Sequence, residues 1–171
     1  EREWGWASWL PHAIPDSGPG AMIGNTDDTR RDRLRELAAI VDNRRRIGQS
    51  ATFPEHIVVV IDGARELRRL PGMIDVLSDG ASVGVHVIAL DSDRSRLPEE
   101  CRSLVVVDDA DHAMARFESN ARFLPRVLLD GLSLRDAGDI ARSLCSIDHV
   151  SGAGDEGALP TSVRYVDVTG I

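Results

Sequence analysis

The sequence contains no lysine, so all 20 of its basic residues are arginines. This absence excludes every site that depends on a lysine side chain, including the Walker A lysine of an intact P-loop, a Schiff-base lysine and a lysine general base. It also excludes the phosphoacceptor pocket of a receiver domain, which needs a lysine beside its acidic cluster. Nucleotide hydrolysis by a complete P-loop is therefore outside the chemistry of this chain.

Cysteines, long apolar runs and positive net charge are also scarce. Cys101 and Cys145 are too few for a disulfide scaffold and do not have metal-ligand spacing, which fits a reducing compartment. The apolar runs are far shorter than the roughly 20 residues that span a bilayer, so we expect no transmembrane segment. With 28 acidic residues the net charge is -8, which argues against direct contact with nucleic acid.

The length of 171 residues corresponds to one domain with appendages. We predict a Trp-rich segment and loop at 1–25, an α/β module at 26–149, and a Gly-rich linker and connector at 150–171. The Trp-rich segment is expected to dock its indoles on a core. Because the sequence starts with Glu1 rather than Met, we expect it to be a piece of a longer protein.

The central region alternates between helical and strand patterns. Apolar residues recur at helical spacing over 26–47, where Thr26 is the expected cap. A run of β-branched residues at 56–63 predicts a strand buried on both faces, as in a parallel sheet. A helix over 64–78 should be split in two by Pro71. The second strand is predicted at 83–90.

The later elements complete a predicted α/β fold with an open, mostly parallel sheet flanked by helices. A helix capped by Ser133 is predicted from its apolar face. The other predicted elements are a third strand at 104–107, a short helix at 110–117, an edge strand at 125–129, the Ser133-capped helix at 132–147 and an alternating strand at 163–168.

Asp62 is the leading candidate for a functional residue because it ends the first buried strand and precedes Gly63. Ligands of open parallel sheets bind at the carboxyl ends of the strands, where this aspartate would hold Mg²⁺ through water. The alternative is that Asp62 caps the following helix.

A second acidic set also follows predicted strands and has two interpretations. Its members would form a second cation site or would serve as solvated turn residues. The set comprises Asp91, Asp93, Asp108, Asp109 and Asp111.

The arginines and histidines permit both functional and structural interpretations. The triplet at 44–46 would bind phosphate or would stabilise a helix C-terminus. Arg94 and Arg96 follow a predicted strand and would reach a neighbouring subunit's nucleotide as arginine fingers. The five histidines lack the spacing of a helical metal site, and we expect none to bind metal; His86 is interpreted as a core or edge residue.

The order of the motifs resembles the FtsK/SpoIIIE ATPase module, most closely its version in type VII secretion ATPases of the EccC family. The resemblance covers about residues 4–110. It rests on LPH at 10–12, RRR at 44–46, FPEHIVVVIDGAREL at 53–67 and SVGVHVIAL at 82–90. The WxxWLPH start and residues 132–144 resemble the degenerate membrane-proximal module of that family. Residues 159–163 resemble the connector into the next ATPase.

The resemblance assigns family roles to individual residues. Asp62 occupies the position of the Walker B aspartate, and Gly63 occupies that of the catalytic glutamate. Asp91 stands where the family has a polar sensor, and Arg94 lies near the family's arginine. The P-loop half of the fold, which is RecA-like in this family, would precede Glu1. A module with these departures is expected to have no catalytic residues.

The implied function is that of a non-hydrolytic, ATPase-like structural or regulatory module of a type VII protein secretion motor. The implied partners are neighbouring ATPase modules of the same polypeptide and other subunits of the secretion machine. No cofactor is expected in this chain, whereas the parent would use ATP and Mg²⁺. The implied location is a cytoplasmic domain of a membrane-anchored protein.

Two other functions remain open from the sequence. The chain would be a module of a DNA translocase of the same family, or a small-ligand or cation-binding α/β domain with Asp62 and Asp91 at its mouth. Without a P-loop half, one sheet edge and one apolar face would be exposed. We therefore also expect self-association, or cover from the Trp-rich segment.

Overall fold

The computed structural model describes residues 3–14, 22–48 and 52–146. Four α-helices and five strands lie within these ranges. The helices are α1 (Asp27–Ile47), α2 (Ala64–Leu67), α3 (Met73–Asp79) and α4 (Leu134–Cys145). The strands are β1 (Ile57–Asp62), β2 (Val85–Leu90), β3 (Ser103–Val107), β4 (Met114–Ser119) and β5 (Phe123–Leu128). None of these helices is long and apolar enough to cross a membrane.

The strands form two separate sheets. β1 and β2 are parallel, whereas β3, β4 and β5 form an antiparallel sheet in that order. The chain is therefore mixed α/β, as predicted. The prediction of one mostly parallel sheet was wrong, because β3 pairs with the strand that follows it rather than with β1 or β2.

The predicted helix at 110–117 was also wrong, because a turn directs the chain back along β3. The Asp108 carboxylate accepts hydrogen bonds from the backbone N–H groups of Ala110 and Asp111, at 2.8 and 3.1 Å. This geometry closes a tight connection between β3 and β4. The helical spacing of apolar residues over 110–117 is a local signal. The turn and the pairing of β4 with its neighbouring strands determine the structure of this segment instead.

The predicted helices at 26–47 and 132–147 correspond to α1 and α4 within the described residues, and both predicted caps are confirmed. At the start of α1, the hydroxyl of Thr26 accepts from the backbone N–H of Thr29, whose hydroxyl accepts from the backbone N–H of Thr26. These two bonds satisfy donors that a helix leaves unpaired at its first turn. The Ser133 hydroxyl caps α4 in the same way by accepting from Asp136 N–H.

The predicted break near Pro71 is confirmed, since α2 ends at Leu67 and α3 begins at Met73. Gly72 precedes α3 with φ of 87°, a conformation that glycine adopts without steric cost. The predicted strand at 125–129 corresponds to β5, which begins two residues earlier. The predicted linker and the alternating pattern at 163–168 lie outside the described residues.

The core lies between one face of the parallel sheet and the helices α1 and α3. It consists of two adjoining clusters of buried residues, to which Val59 and Val87 of the sheet also pack. One cluster contains Leu34, Ile61, Ala64 and Met73, and the other contains Val41, Val76, Val83 and Val85.

The other face of the parallel sheet is bare, so the prediction of strands buried on both faces was wrong. Val58, Val60 and Ile88 are 60%, 48% and 50% exposed. A continuous β-branched run indicates a strand, but a second covering layer must come from other elements. None of the described elements supplies that layer.

The Trp-rich segment forms a short 3-10 helix, Gly5–Trp9, which packs against α4. The guanidinium of Arg142 lies 5.8 Å from the ring centre of Trp9, and the rings of Trp4 and Trp6 stack at 5.9 Å. Trp4 and Trp9 remain partly exposed. The predicted docking on a core is thus replaced by docking on α4 and, through Trp4, on the edge of the parallel sheet.

Candidate functional site

The carboxyl edge of the parallel sheet brings together the main residues singled out from the sequence. Asp62 pairs in register with Leu90, so the ends of β1 and β2 lie side by side. The backbone N–H of Gly63 donates to the carbonyl of Leu90 at 3.1 Å and extends this pairing by one residue. Asp62 and Asp91 therefore emerge at the same edge of the sheet, where ligands of parallel sheets bind.

The carboxylate of Asp62 is exposed and is held by a tryptophan. The indole Nε1–H of Trp4 donates to Oδ2 of Asp62 at 2.8 Å, across 58 positions of sequence. Asp62 does not cap the following helix, because the N-cap of α2 is Gly63 and no side chain caps it. The capping interpretation of Asp62 was therefore wrong, and the Trp-rich segment contributes a contact that the sequence interpretation did not predict.

Gly63 adopts a left-handed conformation, with φ of 77° and ψ of 50°. A Cβ built at this position meets nothing within 4 Å, so a side chain would have space. Its backbone conformation is nevertheless disfavoured for L-residues by roughly 1–2 kcal/mol. The turn from β1 into α2 thus favours glycine, which adopts a positive φ without steric cost.

Asp91 is largely buried, and its oxygens are engaged by the surrounding loop. Oδ1 accepts from the backbone N–H of Ser92 at 2.8 Å and lies 3.7 Å from Nη1 of Arg96. Oδ2 accepts a longer bond of 3.4 Å from the backbone N–H of Arg65, at the start of α2. These contacts tie the end of β2 to α2 and occupy the oxygens that a cation would need.

Arg94 is paired within the chain. Its Nη1 lies 2.8 Å from Oε2 of Glu118 on β4, while Nε of Arg116 lies 2.9 Å from the other oxygen of the same carboxylate. The loop after β2 is thereby linked to the antiparallel sheet. The arginine-finger interpretation of Arg94 and Arg96 stays a prediction, since both side chains remain partly exposed.

The arginine triplet at the end of α1 has structural partners. Nη1 of Arg44 donates to the carbonyl of Val83 at 2.9 Å, and its guanidinium lies over the ring of Phe53. Arg45 pairs with Asp79 on α3 and Arg46 pairs within α1. These contacts favour the structural interpretation over phosphate binding.

Three of the remaining acids, Asp93, Asp108 and Asp111, accept backbone hydrogen bonds in turns. The Ser95 side chain and backbone donate to Asp93 and lower the pKa of that carboxyl, and the backbone N–H groups of Ala110 and Asp111 lower the pKa of Asp108. Within residues 3–14, 22–48 and 52–146, no group of three or more His, Cys, Asp or Glu is placed to hold a metal ion.

One pair of side chains was missed by the sequence interpretation. Nδ1 of His56 and Nε2 of His86 lie 2.9 Å apart, with nearly parallel rings, at the amino end of the parallel sheet. His86 is exposed, contrary to the expectation that it lies in a buried strand. Strand register brings the rings together, because His86 pairs with Val58, two positions after His56.

The carboxyl edge of the parallel sheet therefore carries the accessible carboxylate of Asp62, then Gly63, and the carboxylate of Asp91, whose oxygens are engaged by neighbouring residues. An accessible carboxylate alone does not cradle a phosphate, because both groups are negatively charged. No protein-family model, no curated protein and no solved structure matches this chain.

Proposed function

We propose that the chain is a non-hydrolytic, ATPase-like structural or regulatory module of an FtsK/SpoIIIE-type motor for type VII protein secretion. The observation that carries this proposal is the carboxyl edge of β1. There Asp62 is retained, glycine follows it, and an indole binds the carboxylate. The parallel pair β1–β2 is interpreted as the remnant of a RecA-like sheet.

The chemistry of phosphoryl transfer explains why such an edge would not hydrolyse ATP. The reaction needs a phosphate cradle, a metal ion and a group that orients or deprotonates the attacking water. The chain has no lysine for the cradle, and Gly63 offers no proton acceptor in its side chain. Asp62 would keep only the metal-facing part of the site. A metal ion would there have to compete with the indole of Trp4 for the carboxylate.

A regulatory or structural role depends on contacts between elements of the fold rather than on catalytic residues. The Trp-rich segment contacts α4 and, through Trp4, the carboxyl edge, so a partner that displaces α4 would be expected to disturb that edge. In the proposed assembly, the module packs against neighbouring ATPase modules and other secretion subunits. The parent would bind ATP and Mg²⁺ elsewhere and would be anchored in a membrane, with this module on its cytoplasmic side.

The two alternative functions have less support from the same edge. A cation-binding domain would need both acids, yet the oxygens of Asp91 are engaged by Ser92, Arg65 and Arg96. A module that grips DNA would need a basic surface, whereas the net charge is -8. The secretion-motor proposal requires neither feature.

Phosphate release from ATP in the presence of Mg²⁺ tests the proposal. We expect the rate with the full chain to equal that of a buffer blank, because the chain has no lysine for a phosphate cradle and Gly63 has no side chain to accept a proton. Gly63→Glu should remain inactive, since it restores an acid but no lysine. Mg²⁺-dependent release that Asp62→Asn abolishes would show that the chain is an ATPase and would end the proposal.

A further inference from the structure

The bare face of the parallel sheet has a polar residue at each end and apolar residues between them. We call this surface, formed by Val58, Val60, Asp62, His86, Ile88 and Leu90, the bare face. The register places Val60 beside Ile88 in the middle row. Asp62 lies two residues from that row in one direction and His86 lies two residues from it in the other. The pattern along the strands is therefore imidazole, apolar, carboxylate.

We propose that the bare face is the docking surface for a second copy of this chain, with the strands of the two copies antiparallel. Aligned sheets pack face to face at a spacing of about 10 Å. A two-fold axis through the middle row, perpendicular to the strands, brings Val60 and Ile88 of both copies together. An interface of this type is isologous, so each contact occurs twice.

Charge decides the orientation of the second copy. In the antiparallel arrangement, Asp62 of each copy lies diagonally across from His86 of the other. In the tautomer in which Nε2 of His86 accepts from Nδ1–H of His56, the Nδ1–H of His86 is left to donate to that carboxylate. In the parallel arrangement, the two Asp62 carboxylates would approach each other and repel.

The Trp4 contact leaves one oxygen of Asp62 for the second copy. The indole binds Oδ2 of Asp62, and within the described residues no hydrogen bond reaches Oδ1. The carboxylate can therefore accept a second donor from the other copy. The face is only two strands wide and therefore smaller than a standard specific interface, so we expect a weak, reversible dimer.

Sedimentation velocity of the full chain over a wide concentration range tests the proposal. The wild type should show a monomer–dimer equilibrium. Val60→Asp should raise the dissociation constant by about tenfold or more, because it buries an unpaired charge in the middle row. The matched control is Val105→Asp, the same change at an exposed valine of the antiparallel sheet, which should dimerise like the wild type. Circular dichroism of each variant confirms that it is folded.

A charge swap tests the orientation. His86→Asp should weaken the dimer by placing two carboxylates together, and the double variant Asp62→His/His86→Asp should restore it. His56→Ala removes the intrachain imidazole contact alone and should leave dimerisation unchanged. A monomeric wild type, or equal effects of Val60→Asp and Val105→Asp, would overturn the proposed surface. Failure of the double variant to recover would overturn the antiparallel arrangement. None of these outcomes depends on whether the chain hydrolyses ATP.

Discussion

Met73→Ala is expected to lower the free energy of unfolding by roughly 2–5 kcal/mol. Met73 begins α3 and is 1% exposed, and it packs in the cluster with Leu34, Ile61 and Ala64. Truncation removes apolar contacts and leaves a cavity between α1, α3 and the sheet. Folded domains are stable by only about 5–15 kcal/mol, so this loss is a large share of the total. Urea denaturation followed by circular dichroism measures it.

The control for this prediction is the next residue of the same helix. Ile74 is 58% exposed, and Ile74→Ala should change the free energy of unfolding by less than about 0.5 kcal/mol. Equal losses at the two positions would mean that α3 does not present Met73 to the core, and the packing described for the parallel sheet would be wrong.

Gly80→Ala is expected to destabilise the fold by roughly 1–3 kcal/mol, although alanine is the better helix former. Gly80 follows α3, and a Cβ built there would lie 2.8 Å from the carbonyl oxygen of Val85. That oxygen belongs to the backbone at the start of β2, which cannot shift without disturbing the pairing with β1. The clash therefore outweighs the gain in helix propensity. The same urea experiment measures the loss.

Gly131→Ala provides the matched substitution, because a Cβ at Gly131 meets nothing within 4 Å. We expect its unfolding free energy to stay within about 0.5 kcal/mol of the wild type. If Gly80→Ala were as harmless as Gly131→Ala, the close approach of α3 to β2 would be incorrect.

The elements that local sequence signals define were predictable. Thr26 and Ser133 are hydroxyl residues followed by apolar stripes, and both cap helices. Pro71 separates α2 from α3 because it restricts the backbone locally. The arrangement of strands into sheets was not predictable in this way. Pairing of β3 with β4 depends on a turn at Asp108 and on register, neither of which hydrophobic periodicity contains.

The site was predictable in part for the same reason. Asp62, Gly63 and Asp91 lie together because they end neighbouring parallel strands, a consequence of topology that the apolar runs indicated. Their individual contacts were not predictable. Trp4 reaches Asp62 from a distant segment, and His56 meets His86 through strand register. Contacts between distant segments follow from the packed structure rather than from local composition.

The response of the Trp4 indole to magnesium and ATP tests the central claim most directly. The claim is that Trp4 keeps its hydrogen bond to Asp62 and that the carboxyl edge of β1 holds no metal nucleotide in a reactive position. The indole N–H resonance, assigned by its absence in Trp4→Phe, should keep its chemical shift when Mg²⁺ and ATP are added together at millimolar concentrations. A saturable shift of that resonance, lost in Asp62→Asn, would show that metal nucleotide displaces the indole, and the claim would be contradicted.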